Sequence, residues 1–217
     1  MQKKIIIWGA SGHAQVVTDI IKLRGEYEIA GFLDDINPAL HNTPFCGYSV
    51  LGGRDQLTEL KRKGIEHVVF GFGDCEARLK LAELVLAHGF SLATAIHPQS
   101  VIAESVSIGQ GTVVAAGAVV NAGAQVGDNV IINTLASVDH ECIIEDGVHI
   151  CPGVHLAGRV TVGRASWLGI GAVVVDRIQI GARTMIGAGS VVLEDVPGSV
   201  LVYGVPAKII RRMSEHA

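Results

Sequence analysis

An unbroken six-residue period constrains this chain more than any other feature of its sequence. Every sixth residue from Ile102 to Val192 is aliphatic, which makes 16 consecutive positions. Aliphatic residues form about a third of a typical chain, so chance would produce such a run roughly once in 10⁷ frames. Four residues after most of these positions stands a small or medium residue, such as Thr112 or Ala118. We therefore predict a hexapeptide parallel β-helix, in which three hexapeptides form one triangular coil.

The 16 hexapeptides correspond to about five coils, whose aliphatic side chains point inward and stack on those of the next coil. The period ends in the segment DVPGSVLVYGVPAKIIRRM. We expect this segment to close one end of the β-helix with a final strand and a short basic helix. The part of the chain before the repeats is expected to cap the other end.

The first hundred residues follow a different pattern. The apolar runs KKIIIWG, YEIAGFLDD and EHVVFGFGD alternate with the helical segments AQVVTDIIKLRG, RDQLTELKRKG and CEARLKLAELVLAHG. This alternation predicts a Rossmann-like α/β domain with a small parallel sheet and right-handed crossovers. The expected domains are residues 1–97 (Rossmann-like), 98–196 (β-helix) and 197–217 (C-terminal cap).

Charge and cysteine content exclude several classes of function. The formal net charge of −4 gives no support for nucleic-acid binding, which needs a basic surface. The four cysteines form no CxxC pair, as is typical of free thiols in a reducing compartment. The sequence shows no signal-peptide pattern and no apolar run of membrane-spanning length. We therefore expect a cytoplasmic protein without membrane contact.

Three histidines lie in the short segment SVDHECIIEDGVHICPGVHLAG. In the predicted frame none of them faces the core. His140 and Glu141 occupy a corner of the coil, whereas His149 and His155 lie on outer faces of strands. Stacking by three hexapeptides places His149 beside Trp167, and an exposed Trp–His pair suggests that a ligand or a subunit covers it.

Two kinds of chemistry fit these histidines. A carboxylate next to an imidazole fixes its tautomer and raises its basicity, which suits general base catalysis by His140 with Glu141. The alternative is zinc, because neutral imidazoles are zinc ligands. The separations of 9 and 6 residues do not match the metal-binding histidines of β-helical carbonic anhydrases. We expect no metal site.

A glycine turn, GASGH at residues 9–13, stands between the first strand and the first helix. The N-terminus of a helix can bind phosphate through its free N–H groups and its dipole. Asp34 and Asp35 follow the second strand, where a dinucleotide fold places its ribose-binding acid. The turn lacks the GxGxxG fingerprint, which disfavours NAD. A nucleotide site and a plain structural turn both stay open on this evidence.

The whole chain resembles the left-handed β-helix sugar acetyltransferases that carry an N-terminal nucleotide-sugar-binding domain. The resemblance rests on IIIWGASGHAQVV, GFLDD, FGFGD, SVDHECIIEDGVHICPG, AGRVTVG, WLGIGAVV and YGVPAKII, in that order. The family includes bacillosamine-pathway N-acetyltransferases of UDP-4-amino sugars and sialic acid O-acetyltransferases. It implies a left-handed β-helix, acetyl-CoA as co-substrate, and a homotrimer with active sites between subunits.

The resemblance also assigns roles to residues of the β-helix. It implies that His140 is the catalytic base and that Glu141 makes it more basic. His149 would contact acetyl-CoA near the thioester, and Ile170 and Ala188 would bind the cofactor through their backbone. The family commonly has glycine where Ala188 stands. His155 receives no role from the resemblance.

In the first domain the resemblance implies a site for the nucleotide part of a UDP-sugar. Ser11, Gly12 and His13 would lie at the phosphates or the sugar. Asp34 and Asp35 would lie at the uridine, and Gly73 in the adjoining wall.

The expected function is therefore N-acetylation of a UDP-4-amino-4,6-dideoxy sugar with acetyl-CoA. O-acetylation of sialic acid or another sugar is the alternative within the same class. A catalytically inactive β-helix that serves as a binding or scaffold protein is the alternative outside it.

Overall fold

A computed structural model describes residues 2–213, and the chain separates into two compact units after Pro98. The first unit contains a six-stranded sheet and three α-helices, and the second contains the repeats. Over the described residues no helix has both the length and the apolar character needed to cross a membrane.

The sheet of the first unit has the strand order β3-β4-β2-β1-β5-β6, and all its strands except β3 run parallel. The strands of this unit are β1 (Lys3–Trp8), β2 (Tyr27–Leu33), β3 (Pro44–Phe45), β4 (Tyr48–Gly52), β5 (His67–Phe70), β6 (Ser91–Leu92) and β7 (Ala95–Ile96). The helices are α1 (Gly12–Arg24), α2 (Leu57–Arg62) and α3 (Cys75–Ala87), with 3₁₀ turns at Pro38–Leu40 and Arg54–Gln56.

Local sequence explains these elements. The central strand β1 is a continuous apolar run because both faces of a parallel sheet are covered, and Ile5, Ile6 and Ile7 are fully buried. Helix α1 is capped at its C-terminus by Gly25, which takes the left-handed conformation with φ 66° and donates its N–H to the carbonyl of Ile21. Asp74 caps α3 by accepting the N–H of Ala77 at 2.8 Å. The predicted Rossmann-like arrangement is confirmed.

Strands β3 and β4 were missed by the sequence analysis. Their segment is rich in Asn, Pro and Gly and alternates only weakly, because β4 lies near the sheet edge and buries only Val50 and Gly52. Because these residues are typical of turns, the sequence pattern of this segment does not predict a strand.

The second unit is a left-handed parallel β-helix built from 16 two-residue strands at six-residue intervals. Its strands are β8 (Val101–Ile102), β9 (Ser107–Ile108), β10 (Val113–Val114), β11 (Val119–Val120), β12 (Gln125–Val126), β13 (Ile131–Ile132), β14 (Ser137–Val138), β15 (Ile143–Ile144), β16 (His149–Ile150), β17 (His155–Leu156), β18 (Thr161–Val162), β19 (Trp167–Leu168), β20 (Val173–Val174), β21 (Gln179–Ile180), β22 (Met185–Ile186) and β23 (Val191–Val192).

The repeat frame read from the sequence is the frame of the structure. The second residue of every strand from β10 to β23 is aliphatic and buried, whereas Ile102 and Ile108 in the first coil are half-buried. Each strand from β8 to β20 pairs in parallel with the strand three hexapeptides later, so that three sheets form the faces of the prism. We name them by members: the first sheet contains β13, β16 and β19, the second β14, β17 and β20, and the third β15, β18 and β21.

The corners of the coils impose one backbone requirement. Every sixth residue from 111 to 189 has φ between 54° and 74°, in the left-handed region. Glycine meets this requirement at half of these positions. The others carry side chains there, Glu141 and Arg159 among them, although the left-handed conformation costs roughly 1–2 kcal/mol for such a residue.

The C-terminal segment differs from its prediction. It forms two antiparallel strands, β24 (Val200–Gly204) and β25 (Ala207–Arg212), and β24 continues the first sheet beside β22. The short basic helix expected after the final strand is wrong for residues 207–212. Ile209 and Ile210 are β-branched and favour a strand, and β25 satisfies the free edge of β24. The rest of that expected helix lies outside the described residues.

Candidate active site

His140 lies at the corner between β14 and β15, as the repeat frame predicted. Its side chain is 52% exposed, and that of Glu141 is 55% exposed. The carboxylate of Asp139 fixes this corner, since Oδ1 accepts the backbone N–H of His140 at 2.7 Å and the amide of Asn121 at 3.0 Å. The corner therefore presents the imidazole to solvent from a held backbone.

The imidazole and the next carboxylate are hydrogen-bonded. His140 Nδ1 lies 3.2 Å from Glu141 Oε2. The same oxygen accepts a hydrogen bond from Arg159 Nε at 2.9 Å and lies 2.9 Å from Nη2 of that guanidinium in an ion pair. These bonds, first from His140 and then from Arg159, hold the pKa of the Glu141 carboxyl below its ordinary value. Glu141 is therefore a carboxylate at neutral pH.

Arg159 was not singled out by the sequence analysis. It stands 18 residues after Glu141 at the equivalent corner of the next coil, and its N–H donates to the carbonyl of His140 at 2.9 Å. The stacking rule that paired His149 with Trp167 would have found it.

The imidazole of His140 packs against Gly158. A Cβ atom at position 158 would collide first with Nε2 of the His140 ring and would lie only 2.5 Å from its Cε1, so the ring occupies the space that a side chain at 158 would fill. With Nδ1 turned towards the carboxylate, Nε2 is the nitrogen available to take a proton.

His149 differs from its prediction in exposure but not in register. It pairs with Ile131 and Trp167 in the first sheet, as predicted. The residue is only 8% exposed, which contradicts its expected place among solvent-exposed groups. The indole of Trp167 meets the imidazole edge-on at 6.4 Å between centroids, and the Asn133 amide lies 3.3 Å from His149 Nε2. Neighbouring side chains thus already pack against this imidazole.

Ile170 and Ala188 are exposed at one shared corner, 18 residues apart, and Ile170 is 57% exposed. The N–H of Gly189 donates to the carbonyl of Ile170. This corner precedes the second sheet, whereas the His140 corner follows it. The structure therefore groups Ile170 with Ala188 and places them across the second sheet from His140.

His155 lies on the second sheet between these two corners. Its Nδ1 is 2.8 Å from the hydroxyl of Ser137, with which it pairs across neighbouring strands as the frame predicted. Over residues 2–213 no three His, Cys, Asp or Glu side chains come together as a metal site.

The first unit contains a cavity of about 700 Å³ next to the glycine turn. Of the predicted substrate residues, Ser11, Asp34 and Asp35 line it, and Gly12, His13 and Gly73 do not. Its other walls are partly apolar, with Trp8, Phe72, Leu81 and Leu84 among them. Two cations that the sequence analysis missed, Arg54 and Lys80, also line it.

The two predicted acids shape this cavity. Asp34 is 8% exposed, and its carboxylate accepts the N–H groups of Ala10, Ile36 and Asn37 at 2.8–2.9 Å. It thereby ties the glycine turn to the loop after β2. Asp35 instead binds the backbone and guanidinium of Arg54.

His13 lies behind the turn next to a buried cation. Burial, and secondly the charge of Arg78, lower the pKa of His13 from 6.5 to about 4. The imidazole is therefore uncharged at neutral pH and offers a phosphate no positive charge. Arg78 is 1% exposed, and its Nη1 donates to the carbonyl of Gly73 at 2.6 Å. That bond holds the loop before α3.

Comparison with known proteins gives two family matches. Residues 4–85 match the family described as PglD N-terminal domain, and residues 159–194 match bacterial transferase hexapeptide (six repeats). The chain is 31% identical over 173 residues to GDP-perosamine N-acetyltransferase of Escherichia coli O157:H7, covering 77% of this chain and 76% of that protein. It is 36% identical over 114 residues to UDP-N-acetylbacillosamine N-acetyltransferase of Bacillus subtilis (strain 168), covering 52% and 51%.

Solved structures extend the likeness over the whole length. PerB from Caulobacter crescentus, in complex with CoA and GDP-perosamine, is 42% identical with a TM-score of 0.91, covering 96% of this chain and 97% of that chain. A histidine-to-alanine variant of GDP-perosamine N-acetyltransferase from the same bacterium has also been solved with CoA and GDP-perosamine.

Proposed function

This chain belongs to the family of nucleotide-sugar N-acetyltransferases that join a PglD-type N-terminal domain to hexapeptide repeats, and we propose that it N-acetylates a nucleotide-linked amino sugar with acetyl-CoA. The observation that carries the proposal is the array of His140, Glu141 and Arg159 at one exposed corner. An inactive scaffold protein would not need an imidazole that is hydrogen-bonded to a carboxylate and packed in the space beside a glycine.

His140 is the general base in this proposal. The amine nitrogen of the acceptor attacks the thioester carbonyl carbon and forms the new C–N bond. His140 Nε2 takes the proton that the nitrogen loses, while Glu141 holds Nδ1 and stabilises the imidazolium. The tetrahedral intermediate then breaks its C–S bond, and the thiolate leaves with that proton as CoA. Such a base contributes about 10²–10⁴-fold in rate.

The cavity of the first unit binds the nucleotide. Its volume of about 700 Å³ lies in the usual range for ligand sites, roughly 300–1,000 Å³. Ser11 lies at the start of α1, where free N–H groups favour a phosphate. Lys80 supplies positive charge that His13 does not, whereas the charge of Arg54 is paired with Asp35. Binding of the remote nucleotide would position the sugar amine for reaction.

A GDP-linked amino sugar is the first acceptor to test, rather than the UDP sugar expected from the sequence. Relatives that match this chain over most of their length act on GDP-perosamine, whereas the UDP-N-acetylbacillosamine relative matches over about half.

We further propose that His149, Ile170 and Ala188 contact acetyl-CoA, and that the enzyme is a cytoplasmic homotrimer. Exposed apolar residues on the second sheet and at the corner before it, Val173 and Ile170 among them, support a subunit contact there.

The test measures thiol release from acetyl-CoA with GDP- and UDP-linked 4-amino sugars. Wild type, His140→Ala and the matched control His155→Ala are compared, because His155 pairs with Ser137 instead of a carboxylate. We expect turnover with one nucleotide class and a fall of at least about a hundredfold in His140→Ala alone. Alkali-stable product identifies N-acetylation, and alkali-labile product would identify O-acetylation.

Two results would contradict the proposal. Full activity of His140→Ala, or loss in His155→Ala instead, would remove His140 as base. No turnover with any amino sugar, despite bound acetyl-CoA, would overturn the acceptor class. Light scattering of the purified enzyme tests the trimer separately.

A further inference from the structure

We propose that Arg159 is a positioning residue, which holds the Glu141 carboxylate in the orientation that bonds to His140. The inference rests on the proposed function, in which His140 is the base. It adds to His140 and Glu141 a third residue, which neither touches the acceptor nor takes a proton.

The contacts are specific to one oxygen. Arg159 Nε donates a hydrogen bond of 2.9 Å to Glu141 Oε2, and Nη2 of the same guanidinium lies 2.9 Å from that oxygen in an ion pair. His140 Nδ1 lies 3.2 Å from that same atom. The guanidinium therefore holds the oxygen that His140 uses, and its planar charged group restricts orientation more than a point charge does.

Glu141 and His140 need such a restraint because both side chains are half exposed. An exposed pair of neighbouring side chains gains little from its own bond, since ordering two free side chains opposes it. On the other side of Glu141 stands Gly123, whose hypothetical Cβ would lie 3.4 Å from Glu141 Cγ. The coil before thus provides no side chain at that position, and Arg159 on the next coil provides the restraint.

The backbone prepares Arg159 for this contact. Glu141 and Arg159 both take the left-handed conformation, with φ 57° and 62°, and lie at equivalent corners of adjacent coils. The N–H of Arg159 donates to the carbonyl of His140 at 2.9 Å. The base, its partner carboxylate and the guanidinium are therefore tied to two stacked turns.

A second arginine–carboxylate pair provides a matched comparison. Arg164 reaches back 18 residues to Asp146 with Nη1–Oδ2 at 2.7 Å, and these side chains are 47% and 43% exposed. The geometry and exposure resemble those of Arg159 and Glu141, but the Asp146 corner has no histidine. A purely structural arginine would act as Arg164 does.

The kinetic test compares Arg159→Ala and Arg159→Lys with Arg164→Ala, in wild type and in Glu141→Gln. We expect Arg159→Ala to lower kcat about tenfold with both KM values within about twofold, because misplacement of a catalytic group lowers turnover. Arg159→Lys should recover part of this loss. In the Glu141→Gln background Arg159→Ala should have little further effect, since residues acting through one another are not additive.

Several results would overturn the inference. One is an equal fall in both backgrounds, which would mean that Arg159 does not act through Glu141. Another is an equal fall in Arg164→Ala, which would mean a general structural effect. A raised KM for acetyl-CoA with unchanged kcat would make Arg159 a cofactor-binding residue instead. Thermal denaturation of each variant shows whether it is folded.

An activity-independent measurement separates this inference from the proposed function. Nitrogen-15 NMR of the His140 ring at pH 8 reports which nitrogen carries the proton. We expect the Nδ1–H form in wild type and a mixture in Arg159→Ala. An unchanged tautomer would overturn the role of Arg159. The expected change in an enzyme without turnover would leave that role standing while the proposed function fails.

Discussion

Single residues decide whether the candidate site can work. Gly158 clears space for the imidazole, Arg159 orients the carboxylate, and Asp34 organises the glycine turn through three backbone N–H groups. None of them is identified by its residue type alone. Their roles follow from the distances between coils and loops.

Gly158→Ala tests whether the His140 ring needs the space left by the missing side chain at position 158. The φ of Gly158 is not in the left-handed region, so the backbone accepts alanine, but the new Cβ would displace the His140 ring. We expect kcat to fall about 10- to 100-fold with little change in Tm, because an exposed imidazole can swing into solvent. Steady-state kinetics and thermal denaturation measure both.

The same substitution in His140→Ala is the control for Gly158→Ala. If the substitution acts by moving the imidazole, it has nothing left to move in that background. A further large loss there would mean that Gly158 acts by another route.

His13 should make stability depend on pH. In the unfolded chain its pKa is near 6.5, whereas burial lowers the folded value to about 4. Between these values the unfolded state binds the extra proton, so stability falls as the pH decreases from 6.5 towards 4. The full effect is about 3 kcal/mol, since a pKa difference of one is worth about 1.4 kcal/mol.

We expect His13→Gln to lose this dependence. The decrease in Tm between pH 7 and pH 5 should be smaller in the variant than in wild type, and all other titrating groups are common to both. Identical decreases would contradict the buried, uncharged state of His13.

At the scale of the element, each two-residue strand places one residue on the inner face of the coil and one on the outer face. The second residue faces the prism and is buried, whereas the first lies on the outer face and varies with position. Ile143 and Ile144 in β15 show this division with one residue type. Ile143 is 43% exposed and Ile144 is 1% exposed.

Ile144→Ala should therefore destabilise the protein far more than Ile143→Ala. Loss of a buried isoleucine side chain costs about 2–5 kcal/mol, because a cavity remains, whereas exposed substitutions lie within about ±0.5 kcal/mol. Urea denaturation of the two variants measures the difference. Equal effects would contradict the inward frame.

At the scale of the whole molecule, the proposed function assigns nucleotide binding to the first unit and acetyl transfer to the second. The first contains the cavity with its two cations, and the second contains the histidine corner. This division predicts that nucleotide affinity and turnover can be changed separately.

Lys80→Ala should raise KM for the nucleotide sugar about tenfold and leave KM for acetyl-CoA unchanged. A hydrogen bond to a charged group contributes about 1.5–3 kcal/mol, which corresponds to that change or more. Lys61→Ala is the matched control, because Lys61 lies in the same unit and does not line the cavity. An equal rise for both substrates would contradict a nucleotide site in the first unit.

The sequence by itself determined the repeat frame, the corner position of His140 and Glu141, and the stacking of His149 on Trp167. A strict six-residue period suffices for this because each hexapeptide has one fixed orientation in the coil, so face and neighbour follow from position. The Rossmann-like unit was predicted for the same reason, from the alternation of local strand and helix patterns. These are properties of segments and their spacing.

Only the tertiary structure decided which side chains meet. Position placed Arg159 one coil after Glu141, but its rotamer brings both donors to the carboxylate oxygen beside His140. Neighbouring side chains bury His149, backbone N–H groups occupy Asp34, and pairing with β24 makes β25 a strand instead of a helix. These outcomes depend on packing and on free hydrogen-bonding groups contributed by other segments, and a local pattern contains neither.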